Sequence, residues 1–81
     1  MDPEIAGKMN EVVGRINILG ATNPNKVDDV HALNQKYDEV RKKVENFQHD
    51  SKSRFDSFKK DMLNVLNELN REVDRRNNVA S

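Results

Sequence analysis

The sequence predicts an all-α fold in which a short N-terminal helix folds back as a hairpin on a long coiled-coil helix, giving an oligomeric protein. Three observations lead to this prediction. Apolar residues recur three and four positions apart along most of the chain, which is the spacing of one helical face. The only clear break in this pattern lies at residues 21–25. Apolar and charged residues each make up 35% of the chain, which suits a thin apolar seam along a rod better than a globule.

Residues 1–20 are predicted to form a short amphipathic helix. Its start is marked by Asp2, which can cap free backbone amides, and by Pro3, which suits the first helical position. Glu4 then complements the positive end of the helix dipole. Gly20 is expected to end the helix. The apolar residues of this segment fall on one stripe: Ile5, Met9, Val12, Ile16 and Leu19.

Two further glycines, Gly7 and Gly14, lie inside this helix. Glycine in a helix interior costs up to about 1 kcal/mol relative to alanine, because it loses more conformational freedom on folding. Either the helix is weak and is held by its packing against the rest of the protein, or another segment approaches these glycines closely. The sequence favours the first interpretation.

Residues 24–77 are predicted to form the long helix, which the chain enters through the turn at 21–25. The residue before Pro24 is pushed toward extended geometry, and Pro24 itself suits a first helical turn. Oppositely charged residues four positions apart, such as Asp38 and Lys42, decorate the flanks of this helix. The first part of its apolar seam consists of Val30, Leu33, Tyr37, Val40, Val44 and Phe47.

The seam changes phase near residues 48–55. If the helix is continuous, this change is a stutter that locally relaxes the supercoil, and the rod of roughly 80 Å must oligomerise to bury its seam. If the helix breaks near Asp50, the chain instead forms a monomeric three-helix bundle. The lack of glycine or proline here favours the continuous helix, with residues 78–81 as a frayed tail. The seam continues through Phe55, Phe58, Met62, Val65, Leu69 and Val73, with Leu66 beside Val65.

No catalytic, cofactor-binding or metal-binding residue is predicted, and the chain is not expected to be an enzyme. It has no cysteine, and His31 and His49 are too far apart in sequence to form a helical metal pair. The 14 basic and 14 acidic residues balance, which argues against nucleic acid or an anionic membrane as a partner. Without cysteine, a signal peptide or an apolar span, the expected location is intracellular, in the cytoplasm.

The predicted function is therefore a non-enzymatic coiled-coil assembly module. Such a module self-associates, most simply as a dimer, or scaffolds a larger complex through helix–helix packing. An alternative is a subunit of a hetero-oligomeric helical complex used in tethering, cytoskeletal adaptation or secretion, because Phe55 and Phe58 are large for a two-stranded seam. The expected partner is a second copy of the chain or another helical protein.

A third hypothesis comes from a resemblance. The sequence at 23–27, followed by a long helix that carries Phe47, Phe55 and Phe58, resembles the later BAR-domain helices of sorting nexins. That resemblance implies a membrane-remodelling helical hairpin. A BAR surface needs a concave basic face, and the balanced charge of this chain argues against one.

Overall fold

The structure, a computed structural model, describes residues 2–47 and 51–78, and the chain is almost entirely helical there. Three α-helices follow one another: α1 spans Pro3–Thr22, α2 spans Val27–Asn46 and α3 spans Lys52–Asn78. A short 3₁₀ turn, Pro24–Lys26, joins α1 to α2. The prediction of an all-α fold is therefore confirmed.

The helices run up, down and up along a bundle that measures 47 × 18 × 17 Å. Helices α1 and α3 are parallel. Lys59, early in α3, lies 3.2 Å from the carboxylate of Asp2 just before α1, and Asp74, late in α3, pairs with Arg15 further along α1. Helix α2 runs in the opposite direction, because the 3₁₀ turn reverses the chain at the end of α1.

The start of α1 forms as the sequence predicts. Oδ1 of Asp2 accepts hydrogen bonds from the backbone N–H groups of Glu4, at 2.9 Å, and Ile5, at 3.1 Å. The bond from Ile5 is the main reason why the pKa of Asp2 lies below its ordinary value. This cap satisfies two of the amides that a helix start leaves without partners.

The end of α1 differs from the prediction, because Gly20 does not stop the helix. The helix continues to Thr22, and the N–H of Asn23 donates to the carbonyl of Leu19 at 3.0 Å. Gly20 has a packing role instead, since a methyl group there would lie only 3.3 Å from Cγ2 of Val30. The missing side chain lets α2 approach α1 closely where the chain reverses.

The chain does not form the continuous helix predicted over residues 24–77. Helix α2 ends at Asn46, and Phe47 has extended backbone angles, φ −70° and ψ 126°. A separate helix, α3, begins at Lys52 and packs back along α1 and α2. The architecture is therefore the three-helix alternative.

Ser51 supports the start of α3. Its Oγ accepts a hydrogen bond from the N–H of Arg54, and its carbonyl accepts one from the N–H of Phe55, both at 3.2 Å. The predicted stutter falls partly on residues 48–50, and most of the predicted frayed tail on residues 79–81; both segments lie outside the described residues.

The break has a physical reason. In one chain, a straight rod would leave its apolar stripe in water. Ending α2 removes a few helical hydrogen bonds, and the Ser51 cap at the start of α3 replaces some of them. In exchange, the stripe of α3 is buried against α1 and α2. Burial of each large apolar side chain contributes about 1.5–3 kcal/mol, which outweighs the lost hydrogen bonds.

One apolar core runs along the bundle and draws on all three helices. Its buried members are Ile5, Met9, Val12, Ile16 and Leu19 of α1, Leu33 and Val40 of α2, and Met62, Leu66, Leu69 and Val73 of α3. All five residues of the predicted α1 stripe belong to it. The amphipathic patterns that the sequence carries are therefore used within the chain.

Helix α3 departs from the predicted seam at one position. Val65, assigned to the seam, is 39% exposed, whereas its neighbour Leu66 is completely buried. The positions of Met62, Leu66, Leu69 and Val73 step by four, three and four, which keeps them on one stripe. Because α3 packs between two helices, the residue at the centre of that stripe points inward and Val65 lies at its edge.

Replacing Leu66 with alanine tests this core. Leu66→Ala is expected to lower the free energy of unfolding by about 2–5 kcal/mol, because it leaves a cavity among packed side chains. The matched change Val65→Ala removes a partly exposed side chain and should lower it by no more than about 1 kcal/mol. Urea unfolding followed by circular dichroism measures both values. A larger loss for Val65→Ala would contradict the observed packing.

The glycines of α1 allow a second test of stability. A Cβ added at Gly7 or Gly14 meets nothing within 4 Å, so Gly7→Ala and Gly14→Ala are each expected to raise the free energy of unfolding by about 0.5–1 kcal/mol. Gly20→Ala is the control, and its gain should be smaller because Val30 has to shift. Thermal unfolding at low protein concentration measures all three. Equal gains at the three positions would count against the close approach at Gly20.

Candidate functional site

The seam predicted as an interaction surface lies inside the bundle. Of its seventeen residues, ten are buried and only Val65 is exposed. The other six are half-buried: Val30, Tyr37, Val44, Phe47, Phe55 and Phe58. A folded bundle therefore uses this seam within one chain, and a contact with a second chain needs another surface.

Metal chemistry has no support in the part of the chain that the structure describes, where no three His, Asp or Glu side chains are grouped to hold an ion. The ring of His31 is exposed on α2, with its Nε2 3.2 Å from Nε2 of Gln35. His49 lies outside the described residues. Among residues 2–47 and 51–78, no helix has the length and apolarity needed to cross a bilayer.

A charged cluster joins α2 to α3 near the 3₁₀ turn. Nζ of Lys36 donates to both carboxylate oxygens of Glu72, at 3.1 and 2.9 Å, and Arg76 donates to the same carboxylate at 2.8 Å. The bond from Lys36, followed by that from Arg76, lowers the pKa of Glu72. Arg76 also pairs with Asp29, and the ammonium group of buried Lys26 donates to the carbonyl of Arg76. The cluster is a structural link between helix ends.

A buried amide links α1 to α3. Asn70 is only 9% exposed, and its Nδ2 donates to Oε2 of Glu11 at 2.6 Å. This bond is the main cause of the lowered pKa of Glu11, and Lys8 adds to it. Oδ1 of Asn70 finds no donor among the described residues. The sequence contained one signal for this burial, because Asn70 stands four residues after Leu66 on the apolar side of α3.

A hollow of about 460 Å³ opens at the end of the bundle where α1 begins. Its walls include Phe47, which stacks on Phe58 with ring centroids 3.8 Å apart and planes at 6°. Phe55 lies 6.4 Å from Phe47, centroid to centroid. The phenylalanines that looked too large for a two-stranded seam thus pack against a residue from the other side of the break. The carboxylates at the rim, Asp2 and Glu45, already contact basic side chains.

The side of α1 that points away from the core is uncharged along its centre, and the exposed carboxylates of Glu4 and Glu11 lie along its edge. This surface, the α1 outer face, consists of Gly7, Asn10, Gly14, Asn17, Ile18 and Ala21. Ile18 is 63% exposed, and the other large aliphatic side chains exposed among the described residues are Val27, at 68%, and Val65, at 39%. Open space lies in front of Gly7 and Gly14, so no part of the described chain accounts for these glycines.

The outward faces of α2 and α3 carry more charge than the α1 outer face. Asp28 and Lys42 are exposed on α2, and Lys60 and Arg71 are exposed on α3. In a chain with 35% charged residues, a helix face whose centre is uncharged over about four turns is a marked local departure. Depletion of charge is the compositional feature that distinguishes the centre of protein–protein contacts from other surface.

Comparison with known proteins does not assign this chain to a family. No protein-family model, curated protein or solved structure matches this chain. Among the described surfaces, the α1 outer face is the one whose composition favours a partner, since Gly7 and Gly14 cost stability and no described residue packs against them.

Sequence reasoning singled out only two members of this face, Gly7 and Gly14, and placed residue 21 in the turn. It noted Gly7 and Gly14 as costly, but which side of α1 stays open depends on where α2 and α3 pack. Glu11 and Arg15 mark the edge of the face next to α3, since they bond to Asn70 and pair with Asp74. The opposite edge is next to α2, where Gly20 contacts Val30.

The charged cluster allows a test of the electrostatics. The pKa of Glu72 is lowered in the folded state, so this carboxylate stabilises the fold above its ordinary value of 4.5, and that contribution is lost as pH falls through the lowered pKa. Glu72→Gln is therefore expected to lower the free energy of unfolding by about 1 kcal/mol at pH 7, and the difference should shrink in acid. Urea unfolding at a series of pH values measures it. The control is Glu39→Gln on the exposed side of α2; an effect as large as that of Glu72→Gln would contradict a specific role for the cluster.

Proposed function

We propose that this chain is a self-associating assembly module whose contact surface is the α1 outer face. The observation that carries the proposal is the uncharged centre of this face, where small residues, asparagines and exposed Ile18 lie on a highly charged bundle. The proposal keeps the predicted class of function, association through helix–helix packing, and moves the contact from the apolar seam to the outside of α1. The three-helix core stays intact in each subunit.

A second copy of the chain is the partner that fits this surface. A charged surface placed over it would lose hydration without gaining an opposite charge, which is unfavourable. The exposed sides of α2 and α3 are charged, so among the described faces of this chain the complement to the α1 outer face is the same face of another copy. Closed symmetric pairs that use one patch twice are the commonest form of protein oligomer.

The contact also has a source of free energy. Burial of Ile18, which is 63% exposed in the single chain, would contribute about 1.5–3 kcal/mol per subunit at most. Close approach at Gly7 and Gly14 adds dispersion contacts between backbones. A contact of this size is expected to give a reversible association that depends on protein concentration.

Sedimentation equilibrium over a wide concentration range tests the proposal. The wild-type chain is expected to pass from monomer to dimer as its concentration rises. Asn17→Lys puts a charge into the α1 outer face and is expected to raise the dissociation constant at least about tenfold, because the charge has to be desolvated. Lysine is a good helix former and position 17 is exposed in the single chain, so the variant should fold.

Asn64→Lys is the matched control for this experiment. Asn64 is an exposed asparagine on α3, away from the α1 outer face, and the same change there should leave the dissociation constant within about twofold of wild type. Circular dichroism checks that both variants stay folded. A wild-type chain that remains monomeric at every accessible concentration would overturn the proposal, and so would equal loss of association in the two variants.

A further inference from the structure

We infer that the two chains associate with their α1 helices antiparallel, about a two-fold axis that passes beside Gly14. This inference rests on the proposed function, since it gives the geometry of the contact through the α1 outer face. Three sets of residues along that face carry it: small residues in its centre, asparagines beside them, and a pair of opposite charges at its edge.

Small residues are arranged symmetrically about Gly14. Gly7 precedes it by seven residues and Ala21 follows it by seven, about 10 Å along the helix in each direction. A spacing of seven forms a row almost parallel to the helix axis, which suits two helices that cross at about 20° and stay in contact over several turns. In the antiparallel pair, Gly7 faces Ala21 of the partner subunit and Gly14 faces its own copy.

The asparagines follow nearly the same symmetry. Asn10 lies four residues before Gly14 and Asn17 lies three residues after it, and both are exposed in the single chain. Antiparallel packing about Gly14 brings Asn10 close to Asn17 of the partner subunit. A carboxamide has both a donor and an acceptor, so two of them can exchange hydrogen bonds. Paired in this way, the polar groups can be buried at low cost.

The charges at the edge of the face distinguish antiparallel from parallel packing. Glu11 and Arg15 stand four residues apart on the edge next to α3, where Asn70 and Asp74 contact them. In an antiparallel two-fold pair, this edge meets the same edge in reverse order, so Glu11 lies near Arg15 of the partner subunit. In a parallel pair it would meet the other edge of α1, which is uncharged, and the helix dipoles would point the same way. Charge complementarity therefore favours the antiparallel pair.

Single cysteines can report this geometry, because the chain has no cysteine of its own. The variants are Gly7→Cys, Gly14→Cys and Ala21→Cys, each prepared alone, together with a mixture of the first and third. Mild oxidation followed by intact-mass measurement identifies which chains become linked. A disulfide needs Cα atoms about 4.4–6.8 Å apart, and positions 7 and 21 are about 21 Å apart along α1, so the readout separates the arrangements clearly.

The antiparallel pair predicts a specific pattern. Gly14→Cys should link to itself, and the mixture should give the mixed disulfide between the Gly7→Cys and Ala21→Cys chains. Neither of those two variants should link to itself above background. Background is set by Asn64→Cys on the exposed side of α3, and the expected links should exceed it roughly tenfold, because a dimer holds the thiols at high effective concentration.

Two other results would overturn the inference, and they differ in what they imply for the proposed function. If Gly7→Cys and Ala21→Cys each link to themselves and the mixed disulfide is absent, the pair is parallel and the α1 outer face remains the contact. If the reduced variants form dimers by sedimentation and none links above the Asn64→Cys background, the contact lies elsewhere, and the proposed surface fails as well.

Discussion

An apolar core shared by three helices is the constraint on which the rest of the structure depends. Each helix carries only a narrow apolar stripe, and the stripe of each helix is buried by the other two together. The reversal after Thr22, the close approach at Gly20 and the end of α2 at Asn46 all bring the stripes together. The fold gives up helical hydrogen bonds at these points because the burial of apolar side chains from α3 contributes more. A straight rod would have required a second chain to achieve the same burial.

Polar contacts then select one arrangement of the three helices. Exposed ion pairs contribute little to stability individually, so their main effect is on register and direction. The bond from buried Asn70 to Glu11 and the pair between Arg15 and Asp74 fix α3 parallel to α1. A shift of register would bury Asn70 without that acceptor, which makes alternative packings costly. Together these contacts place α2 and α3 on one side of α1 and leave its other side open.

That open side connects the fold to the proposed function. Once the seam is closed inside the chain, association has to use what remains outside, and charge is distributed unevenly there. Helices α2 and α3 keep charged outward faces, while α1 presents glycine, alanine, asparagine and Ile18 at the centre of its outer face and charged residues only at the edge. A bundle that needs α1 only for its core would be more stable with alanine in place of Gly7 and Gly14. A contact between two α1 helices gives these glycines a physical role.

The sequence by itself determined what depends on neighbouring residues along the chain. The all-α class, the start of α1 at Asp2 and its five core residues follow from capping chemistry and from the three–four spacing, both of which are local. Only the tertiary structure decided whether α2 and α3 form one helix, whether Val65 or Leu66 enters the core, and which side of α1 stays open. Each of these depends on how much apolar surface distant segments bury against one another. That free energy depends on packing between helices, so it cannot be read from the residue pattern of one helix alone.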